Sequence, residues 1–137
     1  MSNKNCFTGD TIVNTETGIK YIKDIQIGDK VLTYNFEKEE TEYKDVTNVI
    51  SHGMQILYKI IMDNEIILTT YNQLFYCNKT KVQAKFLRPG NQLQSIECTI
   101  PIENIKQVYK SCEVFDLEVQ DNKNYYIGKN NILVLEH

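Results

Sequence analysis

The sequence of 137 residues is poor in most features that announce a function at sight. No apolar run approaches the roughly 18 residues of a membrane span, so no membrane partner is expected. Met1-Ser2-Asn3-Lys4-Asn5 is polar and carries no signal-peptide core. The formal net charge is only −3 and the Lys and Arg residues are scattered, which argues against nucleic acid. There are four cysteines, Cys6, Cys77, Cys98 and Cys112, with no C-x-x-C pair, and His52 is the single internal histidine. A zinc site needs about four clustered Cys and His ligands, so neither a structural metal nor another cofactor is expected. The irregular spacing is equally unlike a disulfide framework. Cys77, Cys98 and Cys112 read as small apolar residues buried on strands.

The chain has ordinary globular composition, 42% hydrophobic and 24% charged, enough for one domain with a core. Apolar residues tend to alternate, as in Phe115/Leu117/Val119 between Val114, Asp116 and Glu118. A period of two means strands. Turn signals recur every ten or so residues: Thr17-Gly18, Gly28-Asp29, His52-Gly53, Asp63-Asn64, Pro89-Gly90, Asp121-Asn122. The fold class is therefore all-β. Only Ile19 to Ile25 and Val82 to Leu87 read as single helical turns.

Those two stretches belong to an internal repeat. Ile22 to Val31 aligns with Ala84 to Leu93, sharing apolar, apolar, Gly and apolar positions at steps of three. Val46-Thr47-Asn48-Val49 resembles Ile102-Glu103-Asn104-Ile105, and Leu57 to Ile60 resembles Val114 to Leu117. A repeat this long predicts two related structural units.

The sharpest local signal is Cys6-Phe7-Thr8-Gly9-Asp10-Thr11, a near-terminal cysteine opening a strand before a Gly-Asp turn. This motif, with Ile25 to Asn35 after it, resembles inteins and other Hint domains, among them those preceding toxin modules of secreted bacterial proteins. The resemblance runs from Cys6 to Val134 and implies a horseshoe-shaped β fold with pseudo-twofold symmetric halves. It implies an N-to-S acyl shift in which Cys6 attacks the Asn5 carbonyl and turns the Asn5–Cys6 amide into a thioester. Its partners would be the domain's own flanking segments, with a monomer expected. The chemistry needs a thiolate, donors for the oxyanion and a proton for the leaving nitrogen.

The family places a Thr-x-x-His motif at the end of a central strand. Here Thr70-Tyr71-Asn72-Gln73 takes that place, with Gln73 where His is expected; a rival register pairs Thr69 with Asn72. A carboxamide polarises an amide but cannot protonate it, so a slow acyl shift, accelerated by Gln73→His, is expected. Val114 to Val119 resembles the family's Val-Tyr-Asp-Leu-x-Val, which makes Asp116 the carboxylate that orients the thiol; solvent exposure on an outer face is the alternative. Lys123 stands where His is frequent and is a substitute acid. Family members end in His-Asn, and the Asn side chain cyclises to cut the C-terminal bond. Here Leu135-Glu136-His137 follows Val134 and reads as a tag-derived tail, which leaves the C-terminal Asn step missing. There is no room between the motifs for a homing endonuclease. The competing readings are a catalytically impaired Hint scaffold used for interaction and an unrelated small β-barrel binding module.

Overall fold

Alternating β-branched and polar residues need partners for their backbone groups, and the chain supplies them by pairing with itself. A computed structural model describes residues 6–136. Within it the strands are β1 (Phe7–Thr8), β2 (Ile12–Thr15), β3 (Gly18–Tyr21), β4 (Lys30–Asn35), β5 (Glu40–Met62), β6 (Glu65–Thr69) and β7 (Leu74–Cys77). They continue as β8 (Thr80–Gln83), β9 (Gln92–Gln94), β10 (Thr99–Pro101), β11 (Asn104–Val119), β12 (Asn124–Ile127) and β13 (Ile132–Leu135). Every described pairing is antiparallel.

The long strands β5 and β11 pair with each other from Asn104↔Ile61 to Val119↔Val46. On the far side of β11 lies β1, with Phe7↔Phe115 and Thr8↔Val114. β6 then joins β1 through Phe7↔Thr69 and returns to β5 through Tyr58↔Thr69 to Met62↔Glu65. Four strands thus close on one another, and the two-residue β1 is held inside the ring by both neighbours.

The repeat seen in the sequence is a repeat of hydrogen bonds. β2 pairs with β3, a 3-10 turn follows at Ile22–Asp24, and β4 comes next; β7, β8, a 3-10 turn at Ala84–Phe86 and β9 do the same. Ile22 N–H donates to the Thr11 carbonyl at 2.7 Å, and Ala84 N–H to that of Gln73 at 2.9 Å. Gly28 N–H reaches the Val46 carbonyl at 2.9 Å, and Gly90 N–H that of Ile102 at 2.7 Å. Even side chains correspond: Thr8 Oγ1 donates to Asp10 Oδ1 at 2.9 Å, and Thr70 Oγ1 to Asn72 Oδ1 at 3.1 Å. The expected helical stretches shrink to three residues each. Tyr21 and Gln83 before them, and Ile25 and Leu87 after them, are extended, so neither turn can propagate.

The two halves share one core. Phe7 meets Phe75 and Tyr125 edge-on, with centroids 6.2 and 6.4 Å apart, and all three are buried. Each such side chain contributes about 1.5–3 kcal/mol by leaving water. Cys77 is buried on β7 and Cys112 half-buried on β11, but Cys98 differs from expectation. It is exposed, in the bend between β9 and β10 where its carbonyl takes the Ser95 N–H at 2.8 Å. The boundary drawn at Val134 falls inside a strand. Leu135 is buried in β13 opposite Asn124 and Leu74, and Glu136 N–H donates to the Lys123 carbonyl at 3.1 Å.

Candidate active site

Cys6 immediately precedes β1, and the register of that strand determines its neighbours. One step back from Phe7↔Phe115 and Phe7↔Thr69 lie Asp116 on one side and Thr70 on the other. The second neighbour makes direct contact. Cys6 N–H donates to Thr70 Oγ1 at 3.0 Å, Thr70 N–H donates to the Cys6 carbonyl at 3.0 Å, and Thr69 Oγ1 donates to that carbonyl at 3.1 Å. Both threonines weighed in the sequence thus hold Cys6, the Thr70 hydroxyl at its N–H and the Thr69 hydroxyl at its carbonyl. The Thr70 hydroxyl, rather than that of Thr69, is the one at the nitrogen that would leave in an acyl shift. Its own proton goes to Asn72 Oδ1, so Asn72 orients the hydroxyl that holds Cys6. Asn5 lies outside the described residues.

Cys6 itself is fully buried. Its thiol meets an imidazole: Sγ lies 3.1 Å from His52 Nε2. The other ring nitrogen, Nδ1, lies 3.1 Å from the Gly53 carbonyl. A carbonyl only accepts, so Nδ1 carries a hydrogen, and in the neutral ring the lone pair is then on Nε2, facing the thiol. In the sequence His52-Gly53 reads as a turn. Instead it lies within β5, His52 opposite Val114 and Gly53 opposite Glu113. Its being the single internal histidine was the signal available to sequence reasoning.

Asp116 is nearly buried and shares a face of β11 with Val114, since alternate residues point the same way. The Tyr125 hydroxyl donates to Asp116 Oδ1 at 2.8 Å. Burial pushes the carboxyl up from 3.8 to about 7, against the lowering effect of the Tyr125 and Leu117 hydrogen bonds; the charges of Glu136 and Glu118 add to the rise. Near neutral pH the group is therefore able to hold or release a proton. Burial also raises the Tyr125 phenol well above its ordinary range, and the charges of Asp116 and Cys6 add to that. Tyr125 thus lies within electrostatic reach of both reactive groups.

Gln73 and Lys123 point elsewhere. Gln73 Nε2 donates to the Leu74 carbonyl at 3.1 Å and to that of Leu135 at 3.4 Å, and its buried Oε1 has no hydrogen-bond partner among the described residues. The side chain faces the last strand. Lys123 gives its carbonyl to Glu136, on which its charge also acts. Glu136 Oε2 in turn accepts the Val119 N–H at 3.1 Å. Residues 73, 123, 135 and 136 therefore form a second locus, linked to the first through the Glu136 charge felt by Asp116.

Comparison with known proteins agrees with this architecture. Residues 12–136 match the family described as the pretoxin HINT domain, a match that begins after Cys6. The bacterial intein-like domain from Clostridium thermocellum is 29% identical, with a TM-score of 0.90 over 96% of this chain and 98% of that one. The gp41-1 intein is 26% identical, with a TM-score of 0.78 over 97% and 99%. The DnaX mini intein from Spirulina platensis, 24% identical with a TM-score of 0.81 over 96% and 99%, is similar in fold. A 28-residue stretch is 68% identical to Warthog protein 6 of Caenorhabditis elegans, covering 20% of this chain and 5% of that protein. With nearly all of its strands inside one family model and its backbone arranged as in inteins, the chain belongs to the pretoxin HINT domain family.

Proposed function

We propose that the domain rearranges its own Asn5–Cys6 peptide bond by an N-to-S acyl shift and releases whatever precedes Cys6. The observation that carries this reading is the double clamp on Cys6: its N–H on Thr70 Oγ1, its carbonyl on Thr69 Oγ1 and Thr70 N–H. Any buried N–H needs a partner; here that partner is a side-chain hydroxyl, set at the nitrogen that would leave. Once Sγ has attacked the preceding carbonyl, collapse of the tetrahedral adduct breaks the C–N bond. The nitrogen leaves as an amine, at a place already next to a hydroxyl that Asn72 orients. Asp116, whose carboxyl is pushed to about 7 on the strand beside Cys6, is a proton reservoir for the site.

The C-terminal half of an intein reaction needs a carboxamide that cyclises. Position 136 holds a carboxylate, engaged by Val119 N–H, and a carboxylate has no nitrogen nucleophile to offer. The proposal is therefore confined to the bond before Cys6. One observation favours an impaired scaffold instead: Gln73 is turned toward Leu135. The two readings separate in one experiment. A folded partner is fused before Asn5, a small thiol is added, and intact masses are followed. Release at Asn5 that disappears in Cys6→Ala supports the proposed chemistry; equal release from that variant, or none from the parent, removes it.

A further inference from the structure

We infer that His52 is a catalytic residue of this domain, taking the thiol proton of Cys6 and passing it to the leaving nitrogen, the work that Gln73 does not perform. The inference rests on the acyl shift proposed above. Three observations carry it. Nε2 lies 3.1 Å from Sγ. The Nδ1 contact with the Gly53 carbonyl directs the ring's lone pair toward the thiol. And Gln73, where the motif calls for an imidazole, is hydrogen-bonded to Leu74 and Leu135.

The proton balance closes without an external acid. The S–H bond breaks, its proton moves to Nε2, and the thiolate adds to the Asn5 carbonyl carbon. As the tetrahedral adduct collapses, the C–N bond breaks and the nitrogen takes the proton from the imidazolium. The products are a thioester on Cys6 and a free amine on the same residue. One proton has moved from sulfur to nitrogen, and the ring is neutral again. A single imidazole can serve both steps because Sγ and N belong to one residue and only two carbons separate them. Thr70 Oγ1 keeps that nitrogen fixed while the ring acts.

The placement comes from strand geometry. His52 is opposite Val114 on β11, and Val114 is one of the buried neighbours packed with Cys6 and Leu57. Asp116 lies two residues further along the same face, so the imidazole and the carboxyl approach the thiol from two points on one surface. The carboxyl then serves as a proton reservoir while His52 makes the contact.

The test uses the full chain with a folded partner before Asn5. His52→Ala and His52→Gln should slow thiol-induced release by about 10² to 10⁴-fold. Their melting temperatures should match the parent, and added imidazole should restore part of the rate to His52→Ala. Should the alanine variant not fold, the glutamine variant carries the measurement, because it keeps a polar side chain that cannot shuttle a proton. Release at the parental rate from a folded His52 variant overturns the inference and leaves the acyl shift standing. No release from the parent removes the acyl shift itself. In either case a second readout remains: ¹⁵N spectra of the ring should show hydrogen on Nδ1, and Cys6→Ala should shift the Nε2 signal. A ring signal indifferent to Cys6 overturns the contact whatever the activity.

Discussion

At the scale of single residues, the site depends on groups placed where solvent cannot compete. Asp116 shows the stability consequence. Its carboxyl goes from 3.8 to about 7 on folding, so the folded chain binds that proton more tightly than the unfolded one. The stabilisation this gives is complete below about pH 4 and is lost as pH rises through about 7. Asp116→Asn has no such proton to lose, and its Oδ1 still accepts from Tyr125. Unfolding in urea should find the variant level with the parent near pH 4 and more stable near pH 9, by up to about 4 kcal/mol. A parent as stable as the variant at pH 9 rules out a carboxyl shifted this far. Gln73 gives a different test. An imidazole at that position starts next to the Leu135 carbonyl, so Gln73→His should speed release from the parent by less than about tenfold, against 10² to 10⁴ for an acid already in place. In a His52→Ala background the same change should gain more, because the two rings would then do the same job. Equal gains in both backgrounds would mean that the residues act independently. That Cys6, Thr70 and Asp116 would lie on neighbouring strands was legible in the sequence, because each sits in a motif with fixed neighbours. His52 was not, because nothing adjacent to it marks the site.

At the scale of elements, what hid His52 is a register. β11 and β5 pair in one frame up to Tyr109↔Ile56 and in a frame shifted by one from Cys112↔Met54. Without that irregularity His52 would stand opposite Glu113 rather than Val114. A one-residue slip sends side chains to the other face, and bulges of this kind leave little trace in composition. The repeat, in contrast, was legible because it is written in glycine. Gln26 to Asp29 and Arg88 to Asn91 each close a turn by a backbone bond of 3.0 Å, with Gly28 at φ +95° and Gly90 at φ +91°. Pro89 precedes Gly90, as suits a type II turn. Neither glycine has a heavy atom near the place a Cβ would occupy, so substitution tests the backbone alone. Gly28→Ala and Gly90→Ala should each destabilise by about 1 kcal/mol and add in the double variant, as read from chemical denaturation. Unequal costs would show that the two halves match in sequence without matching in energetics.

At the scale of the whole molecule, the ring of β5, β11, β1 and β6 makes the site a product of distant chain segments. Cys6 and Thr70 are 64 residues apart, and Cys6 and His52 are 46. Closing loops of that length carries an entropy cost that only the finished core repays, and such topologies fold slowly. No local fragment around Cys6 holds both the hydroxyl that grips its nitrogen and the ring that meets its sulfur. Thiol-induced release measured across a urea series should therefore vanish at the same midpoint as tertiary structure. Release that outlasts unfolding would assign the chemistry to a short segment. Under the proposed acyl shift, the closed ring would work as a timer. While the nascent chain is still searching, the bond before Cys6 is as durable as any other peptide bond, and a neighbour joined through it stays attached. On that proposal detachment would report that maturation is complete, and the severed product would be its own certificate of correct assembly.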